Sequence, residues 1–467
     1  MGRVSALWTA GAVAAATRGR TTGDWVASGV SIDTRTLAPG DLFVALVGPN
    51  RDGHRFVAAA LERGAAGALV SRVPDGGIDP AALVLVEDTQ QALEGLGRAG
   101  RARSRAGIAG ITGSAGKTGT KEALRHVLAR QAPTHASAAS HNNHWGVPLS
   151  LARLPEGASF GVFELGMNHA GEIRALTGLV RPHVAVITTV AAAHLEFFTS
   201  VAGIADAKAE IFEGLEPGGV AIINHDNEHY ERLRAHAEQS AAGRIVTFGE
   251  HPAADWRLTG LTLAPDSSDV VATRGTRRLA YQLGTAGRHL ALNSLAVLAA
   301  VEALGADPEQ AARTLRELRA SSGRGERRRL VLEGGEALLL DESYNANPAS
   351  MAAAIDLLRR FPGRRIAVLG DMLELGASAP QLHAGLSRPL AAAGIDLVFT
   401  CGPHMAHLDA DLPRERRGGH AADSAELAPL VREALRPGDV LLVKGSLGSR
   451  MARIVEVLVA ASGAGEG

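Results

Sequence analysis

Short apolar runs alternate along this chain with longer segments in which apolar residues recur at the spacing of a helix. In the middle of the chain, buried strands are predicted at residues 107–112, 161–164, 183–190 and 219–224. Strands that alternate with helices are typical of a parallel sheet covered by helices on both faces. Between residues 256 and 283 short alternating segments predict antiparallel hairpins, and a strong helix follows over residues 290–304.

Two further α/β segments flank this middle part. In the first, residues 41–47 and 68–71 predict strands, and residues 56–63 predict a helix between them. In the last, strands are predicted at residues 337–341, 365–370, 396–401 and 439–444, with helices between them. The polar stretch Ser321-Ser322-Gly323-Arg324-Gly325 marks the boundary before this last segment.

The pattern therefore predicts an α/β protein of three domains. Residues 1–104 are expected to form a small α/β domain, residues 105–322 a central domain with a mostly parallel sheet, and residues 323–467 a Rossmann-like C-terminal domain. A length of 467 residues fits about three domains, and a hydrophobic content of 46% is enough for their cores.

Composition excludes several classes of protein. A formal net charge of −1 without a long basic run argues against a general nucleic-acid binder. The single cysteine, Cys401, cannot form an internal disulfide, which fits a reducing cytoplasm. No apolar stretch reaches the roughly 18 residues of a membrane span. Residues 7–16 faintly resemble a signal peptide, but a short alanine-rich helix is the preferred interpretation.

Lysine is rare in this chain and lies near distinctive sequences. Of 48 basic residues only four are lysines: Lys117, Lys121, Lys208 and Lys444. Lysine is a compact point charge whose amine can react once deprotonated, and arginine offers neither property. Codon bias explains the scarcity of lysine, but not why so many of the remaining lysines lie beside candidate functional motifs.

Lys117 belongs to a phosphate-loop sequence between a predicted strand and a predicted helix over residues 119–130. In such a loop, backbone amides and the helix N-terminus bind phosphate, the lysine offsets its charge, and the following hydroxyl, here Thr118, binds Mg²⁺. The sequence therefore predicts ATP and Mg²⁺ as cofactors. The common pattern places glycine where this chain has Ile111, so a chance glycine-rich turn is the alternative. The predicted phosphate-binding residues are Gly113, Ser114, Ala115, Gly116, Lys117, Thr118 and Gly119.

Two polar residues follow neighbouring predicted strands. Glu164 ends the strand after the phosphate loop, and His194 lies a few residues beyond the next strand. Ligands of such sheets bind at the carboxyl ends of the strands, so Thr118, Glu164 and His194 converge if these strands are neighbours. A carboxylate suits Mg²⁺, whereas a histidine ligand is unusual; a packed or solvent-facing role is the alternative for His194.

Three clusters in the last domain also follow predicted strands. They comprise Asp341 with residues 344–348, then residues 369–376, and finally residues 444–446. Pro348 suits the first turn of a helix, so an ordinary helix start is the alternative interpretation of the first cluster. If all three face one cleft, the site draws on more than one domain, and the domains must close on each other.

Several segments together resemble the Mur ligase family. Residues 112–118 resemble its ATP loop, which is also a shortened version of the common one and so accounts for Ile111. Further resemblances lie at residues 31–35, 39–46, 142–149, 164–173, 192–196, 341–348 and 369–376. They cover almost the whole chain in the right order. His144 and Trp145 stand where the family often has smaller or acidic residues, which puts no catalytic position in doubt.

The resemblance implies an ATP-dependent ligase that forms a carbon–nitrogen bond in cytoplasmic peptidoglycan precursor synthesis, and thereby serves cell-wall growth, cell shape and division. The implied substrates are UDP-N-acetylmuramoyl-tripeptide and D-alanyl-D-alanine, joined through an acyl phosphate. Residues 1–104 would bind the UDP-sugar, residues 105–322 ATP, and residues 323–467 the dipeptide. A monomer without nucleic-acid partner or membrane insertion is expected.

The resemblance also implies roles for individual residues. Catalytic roles fall to Lys117, His194 and Lys208. The implied magnesium ligands are Thr118, Glu164, His194 and Lys208, the last as a carbamate. ATP contacts beyond the loop fall to Asn293, Arg324 and Asp341. Substrate contacts fall to Ser31, Arg35, Asn143, Asn345, Asn347 and Lys444. For Lys208 the alternative is a surface lysine that forms a helical ion pair.

Two other functions compete with this interpretation. A sister ligase that adds a single amino acid shares the middle domain, but its third domain usually carries an Asp-Asn-Pro-Arg motif that this chain lacks. A phosphate-loop ATPase or switch with a protein partner leaves Lys208, residues 142–143 and the first domain unexplained. The product of the reaction distinguishes them: amide formation with a peptide acceptor, or ATP hydrolysis alone.

Overall fold

The computed structural model describes residues 6–138, 141–320 and 322–462, which form three α/β units with separate main sheets. Ser321, part of the predicted second boundary, lies outside the described residues. The predicted fold class is confirmed: three α/β domains, the second and third built on mostly parallel sheets. None of the helices in the described ranges has the length and apolar character that a membrane span requires.

The first unit contains a four-stranded parallel sheet of order β3-β4-β7-β8. Its strands are β1 Trp8–Thr9, β2 Val26–Ala27, β3 Gly29–Ser31, β4 Asp41–Val44, β5 Val47–Gly48, β6 Arg51–Asp52, β7 Gly67–Val70 and β8 Leu83–Leu85. Its helices are α1 Ala10–Thr17, α2 Val57–Glu62 and α3 Thr89–Arg103. Helix α1 is the expected alanine-rich helix, and it buries Val13 in the core of this unit.

The central unit contains a nine-stranded sheet, parallel from β10 to β15 and antiparallel from β15 to β17. The strands are β9 Gly107–Thr112, β10 Thr134–Ala136, β11 Phe160–Glu164, β12 Val184–Ile187, β13 Gly219–Asn224, β14 Ala242–Gly249, β15 Trp256–Leu263, β16 Ser268–Arg274 and β17 Arg277–Leu283. The helices are α4 Lys117–Ala129, α5 Gly146–Ala152, α6 Glu172–Val180, α7 Val201–Ala209, α8 Tyr230–Glu238, α9 Arg288–Ala303 and α10 Pro308–Thr314. The predicted hairpins over residues 256–283 are confirmed.

The central sheet is buried on both faces. Along β12, Val184 and Val186 pack into one core with helices α4 and α9, and Ala185 and Ile187 pack into the other with α6 and α7. Because strand side chains alternate between faces, a strand buried on both sides is apolar at every position. This is why the sequence shows the parallel strands as continuous apolar runs.

The strand order places β9 between β11 and β12. The three chain segments that follow these strands therefore leave the same edge of the sheet, as the phosphate-loop hypothesis requires. The strand predicted at residues 183–190 ends early, at Ile187. Thr188 N–H still bonds to Thr112 at the end of β9, but from there the chain bonds to the phosphate loop, where the Thr189 carbonyl accepts from Ser114 N–H.

The third unit contains a six-stranded sheet of order β18-β19-β23-β20-β21-β22, antiparallel only between β18 and β19. Its strands are β18 Glu326–Leu332, β19 Gly335–Glu342, β20 Arg365–Gly370, β21 Leu397–Cys401, β22 Arg417–Ala421 and β23 Val440–Lys444. Its helices are α11 Pro348–Leu358, α12 Ala379–Ala384, α13 Ser387–Ala392, α14 Met405–Asp411, α15 Ser424–Ala434 and α16 Ala452–Ala461. The loops after β19, β20 and β23 carry the three predicted clusters.

Candidate active site

A cavity of about 1430 Å³ lies between the carboxyl edge of the central sheet and the third unit. The phosphate loop and the start of α4 line it on one side, and the loops after β19, β20 and β23 line it on the other. None of the described residues before Gly107 lines it. The site therefore belongs to the second and third units together.

The phosphate loop is held open by bonds to the chain that continues from β12. Ser114 N–H donates to the Thr189 carbonyl at 2.8 Å, and the Thr188 hydroxyl donates to the Ala115 carbonyl at 2.6 Å. Gly116 precedes α4 with φ +82°, a left-handed conformation that favours glycine. The loop thus leads directly into the N-terminus of α4, the arrangement that binds phosphate.

Thr118 and Glu164 form the centre of the candidate metal site. The Thr118 hydroxyl donates to Glu164 Oε2 at 2.7 Å, and Asn142 Nδ2 donates to Oε1 at 2.8 Å. Glu164 is 1% exposed at the end of β11. The hydroxyl and the carboxylate are hard oxygen donors, which Mg²⁺ prefers. Among the described residues, no group of three or more His, Cys, Asp or Glu side chains is arranged to hold a metal ion.

Lys117 lies on the floor of the same cavity. Its Nζ donates to the Gly113 carbonyl at 2.7 Å. Burial lowers the pKa of Lys117 from its ordinary value, the nearby Glu164 carboxylate raises it, and Arg324 lowers it. The charge on Lys117 therefore depends on Glu164 as its counter-ion.

His194 also lines the cavity, but it contacts the third unit and not Thr118 or Glu164. Its Nδ1 lies 2.5 Å from Glu374 Oε2, a residue of the loop after β20. The hydrogen bond to His194 holds the pKa of Glu374 below its ordinary value. Three of the four predicted metal ligands, Thr118, Glu164 and His194, thus line one cavity, although His194 contacts neither of the other two.

Lys208 is buried near Lys117 and is not among the described residues that line the cavity. It lies on α7, is 1% exposed, and forms no hydrogen bond or ion pair with any described residue. Burial, together with the nearby Lys117 charge, lowers the pKa of Lys208 well below its ordinary value. The surroundings of this amine therefore favour its neutral form, the form that reacts.

The third unit supplies a polar wall opposite the phosphate loop. Asn347 begins α11 by accepting from Ser350 N–H at 2.9 Å, and its Nδ2 donates to the Ser114 carbonyl at 3.1 Å. Lys444 is 2% exposed and its Nζ donates to the Asn345 carbonyl at 2.9 Å. One side chain of the helix start therefore bonds directly to the phosphate loop.

Asn293 and Arg324 line the same space, whereas Asp341 lies behind them. The Asn293 side chain packs against Gly116, and the Arg324 guanidinium lies 4.0 Å from the centre of the Tyr344 ring. Asp341 is 2% exposed and accepts from Gly323 N–H at 3.1 Å. Asp341 therefore holds the turn that presents Arg324, and does not itself line the cavity.

Comparison with known protein families identifies all three units. The sequence matches the Mur ligase middle domain over residues 111–301, the Mur ligase glutamate ligase domain over residues 323–447, and the Mur ligase family catalytic domain over residues 26–100. It is 37% identical to UDP-N-acetylmuramoyl-tripeptide–D-alanyl-D-alanine ligase of Escherichia coli (strain K12), over 90% of this chain and 91% of that protein. The chain belongs to the Mur ligase family.

Other Mur ligases are similar over nearly the whole chain. The Bacillus subtilis (strain 168) protein of the same name is 33% identical over 90% of each chain. A crystal structure of MurF from Acinetobacter baumannii is 32% identical, with a TM-score of 0.85 and coverage of 97% of this chain and 99% of that one. MurF ligase from Thermotoga maritima in complex with ADP has a TM-score of 0.77 at 27% identity, with coverage of 92% and 96%.

Three predicted substrate residues lie away from the cavity of this Mur ligase. Ser31 donates to the Asp33 carbonyl at 3.0 Å, and Arg35 pairs with the Asp33 carboxylate, which lowers the pKa of Asp33 to about 2. Asn143 Oδ1 accepts from Gly146 N–H at 2.9 Å, where α5 begins. None of the three is among the residues that line the cavity.

Two cavity residues were absent from the predicted site. Asn142 contacts Glu164, and Glu374 contacts His194. Both lie in segments that resemble Mur ligase motifs, residues 142–149 and 369–376, so the signal was available. The sequence did not show which residue each of these two side chains contacts.

Proposed function

We propose that this Mur ligase joins D-alanyl-D-alanine to UDP-N-acetylmuramoyl-tripeptide, with cleavage of ATP to ADP and phosphate, in peptidoglycan precursor synthesis. One observation carries the proposal: a phosphate loop and three third-unit loops line a single cavity. The wall opposite the phosphate loop belongs to the segments that resemble the dipeptide-adding member of the family. We place the reaction in the cytoplasm because it consumes ATP, and a monomer is sufficient because one chain lines the cavity.

The chemistry requires an activated carboxylate, because a free carboxylate is a poor electrophile. When bound, ATP would supply the γ-phosphoryl group that makes the tripeptide's terminal carboxylate an acyl phosphate, ADP would be released, and Mg²⁺ would offset charge on the phosphates. The neutral amine of the dipeptide then attacks the carbonyl carbon, phosphate leaves with the electrons of the carbon–oxygen bond, and the nitrogen gives its extra proton to the departing phosphate or to water. Lys117 and the loop amides would offset charge on the phosphates, and Thr118 and Glu164 would hold the metal.

Lys208 is proposed to act as a carbamate. A neutral lysine amine attacks carbon dioxide, a nitrogen–carbon bond forms, and one proton is released. The product carries a negative charge and two hard oxygens suited to Mg²⁺, which an ammonium would repel. The burial of the amine, its lack of a hydrogen-bond or ion-pair partner among the described residues, and its lowered pKa support this role. As in the sequence prediction, His194 and Lys208 would then serve the metal together.

The division of labour among domains is also a proposal. We assign the UDP-sugar to residues 1–104 with Ser31 and Arg35, ATP to residues 105–322, and the dipeptide to residues 323–467. Asn143 would contact the UDP-substrate between the first two domains. In the third domain, the buried Lys444 and Asn347 and the exposed Asn345 line the cavity opposite the phosphate loop and would hold the dipeptide near the acyl phosphate. Closure of the third domain would exclude water that would otherwise hydrolyse the acyl phosphate.

The acceptor requirement tests the function directly. Purified protein with ATP, Mg²⁺ and UDP-N-acetylmuramoyl-tripeptide is expected to release phosphate only when D-alanyl-D-alanine is present. Phosphate release is measured with tripeptides that carry different diamino acids at position three. Equal turnover with free D-alanine would favour the sister ligase, and turnover without any acceptor would favour a simple ATPase.

The Gly116→Ala substitution tests the nucleotide site. A left-handed conformation costs alanine about 1–2 kcal/mol, and the new Cβ would lie 2.4 Å from Asn293 Nδ2. We expect ADP affinity, measured by calorimetry, to fall by roughly tenfold or more. Gly178→Ala in α6 is the matched control, because its Cβ would meet nothing within 4 Å and Gly178 does not line the cavity. Equal ADP affinity in the two variants would contradict the assignment.

A further inference from the structure

The second and third units meet at a junction formed by the loop after β12 and the loop after β20. His194 Nδ1 and Glu374 Oε2 lie 2.5 Å apart, and Glu196 N–H donates to the Glu374 carbonyl at 3.1 Å. Gly376 packs against the Glu196 backbone: a Cβ added to Gly376 would lie 3.2 Å from the Cα atom of Glu196. The junction therefore combines a side-chain pair with main-chain contacts that set its register.

Both members of the pair have unusual backbone conformations. His194 has φ +61° and Glu374 has φ +63°, so two non-glycine residues are left-handed at one contact. Such residues persist where the surrounding structure fixes them, and they are frequent at functional sites. The conformations turn both side chains toward each other across the boundary between the units.

The contact defines which ring nitrogen of His194 is available. A carboxylate can only accept a hydrogen bond, so Nδ1 of His194 carries the proton that Glu374 accepts. In a neutral ring, Nε2 then holds the lone pair and is the nitrogen that can bind a metal or accept a proton. Carboxylates that bind a histidine in this way fix its tautomer and its ring orientation.

The loop of Glu374 is also bonded to the other third-unit loops that line the cavity. The neighbouring Leu373 N–H donates to the Ser446 hydroxyl at 2.9 Å, and Ser446 follows the buried Lys444. Ser446 in turn donates to the Ala346 carbonyl at 3.2 Å. The position of Glu374 therefore depends on the third-unit loops that are proposed to hold the dipeptide.

We infer that Glu374 is a positioning residue of this ligase: it holds His194 in the Nδ1–H tautomer, and does so only when the third unit is docked on the central unit. The expected effect on the reaction rate rests on the proposed function, whereas the pairing of Glu374 with His194 does not depend on it. Docking of the third unit thus orients His194, a proposed metal ligand, through a contact between two residues that are 180 positions apart in the sequence.

The tautomer of His194 tests the pairing without metal or nucleotide. Full-length protein labelled with ¹⁵N-histidine gives ring ¹H–¹⁵N spectra, in which His194→Gln identifies the His194 signals. We expect the Nδ1–H tautomer in the unsubstituted protein and in Glu374→Gln, which keeps an acceptor. Glu374→Ala is expected to shift His194 to the Nε2–H tautomer. An unchanged tautomer in Glu374→Ala overturns the inference.

Kinetics test the consequence. Because loss of such a supporting carboxylate typically costs about 10–100-fold in metal affinity or activity, Glu374→Ala should lower kcat by that factor and raise the Mg²⁺ concentration for half-maximal rate. Glu374→Gln should retain more activity than Glu374→Ala. Glu196→Gln is the matched control, since this acid lies at the same junction and its side chain forms no hydrogen bond or ion pair among the described residues.

The two proposals fail in different ways. Unsubstituted protein with the Nδ1–H tautomer but no acceptor-dependent phosphate release would refute the function and support the pairing. A Glu374→Ala variant with changed tautomer, native thermal stability and normal Mg²⁺ dependence would refute the positioning role. Equal losses in Glu374→Ala and Glu196→Gln would also refute it, because they would indicate a general disturbance of the junction.

Discussion

Replacing Lys208 with arginine is expected to lower the ligase rate by roughly 10²–10³-fold, the size of effect seen when one electrostatic stabiliser of a reaction is removed. Lys208 is buried, forms no hydrogen bond or ion pair with any described residue, and has a pKa well below its ordinary value, which favours the neutral amine. A neutral amine can add carbon dioxide, whereas a guanidinium stays protonated. The rate of phosphate release with both substrates measures the effect.

Controls separate the lost carbamate from a folding defect. Lys208→Arg should still bind the UDP-substrate and unfold cooperatively. Lys208→Ala should recover part of its activity when a short carboxylic acid is added, because the acid replaces the missing carboxylate. An arginine variant with near-normal turnover would refute the carbamate, as would an alanine variant that no carboxylic acid rescues.

Glu164→Gln is expected to produce the second large loss, with a rate lowered by roughly 10²-fold and a raised Mg²⁺ requirement. Glutamine keeps the shape of the side chain, but it removes the negative charge beside Thr118 and Lys117. Initial rates over a series of Mg²⁺ concentrations measure both effects. Glu238→Gln, a surface acid paired with Arg234, is the control.

The pH profile of the Glu164→Gln variant independently tests whether the Glu164 carboxylate supports the charge on Lys117. Burial lowers the pKa of Lys117, and the Glu164 carboxylate partly offsets this. Without that carboxylate the pKa of Lys117 falls further, so the lysine loses its charge at lower pH. The alkaline limb of kcat/KM should therefore move to lower pH in Glu164→Gln. A limb that stays in place would contradict the coupling.

The sequence predicted the fold best where strands are buried on both faces. The predicted ranges 107–112, 219–224 and 365–370 match strands β9, β13 and β20. The edge strands β18 and β22 were missed. Strand β18 begins Glu-Arg-Arg-Arg, and an edge strand needs no apolar residue at every position because one side of it faces solvent.

Parts of the candidate site also followed from the sequence. The loop 113–118 was recognisable because its residues are contiguous, and the approach of Thr118 to Glu164 followed from the rule that ligands bind at the carboxyl ends of parallel strands. The partners Asn142 and Glu374 did not follow, although both lie in recognised motifs. A motif indicates that a side chain matters, but not what it contacts.

The sequence by itself determined the three α/β units, the phosphate loop and the candidate residues at strand ends, since these depend on residues close together in the chain. Only the tertiary structure decided that Asn347 bonds to Ser114, 233 residues away, and that Glu374 bonds to His194. It alone also decided that Lys208 is buried. Contacts between distant segments form only when the whole chain packs. The same packing decides whether an amine such as that of Lys208 loses its surrounding water.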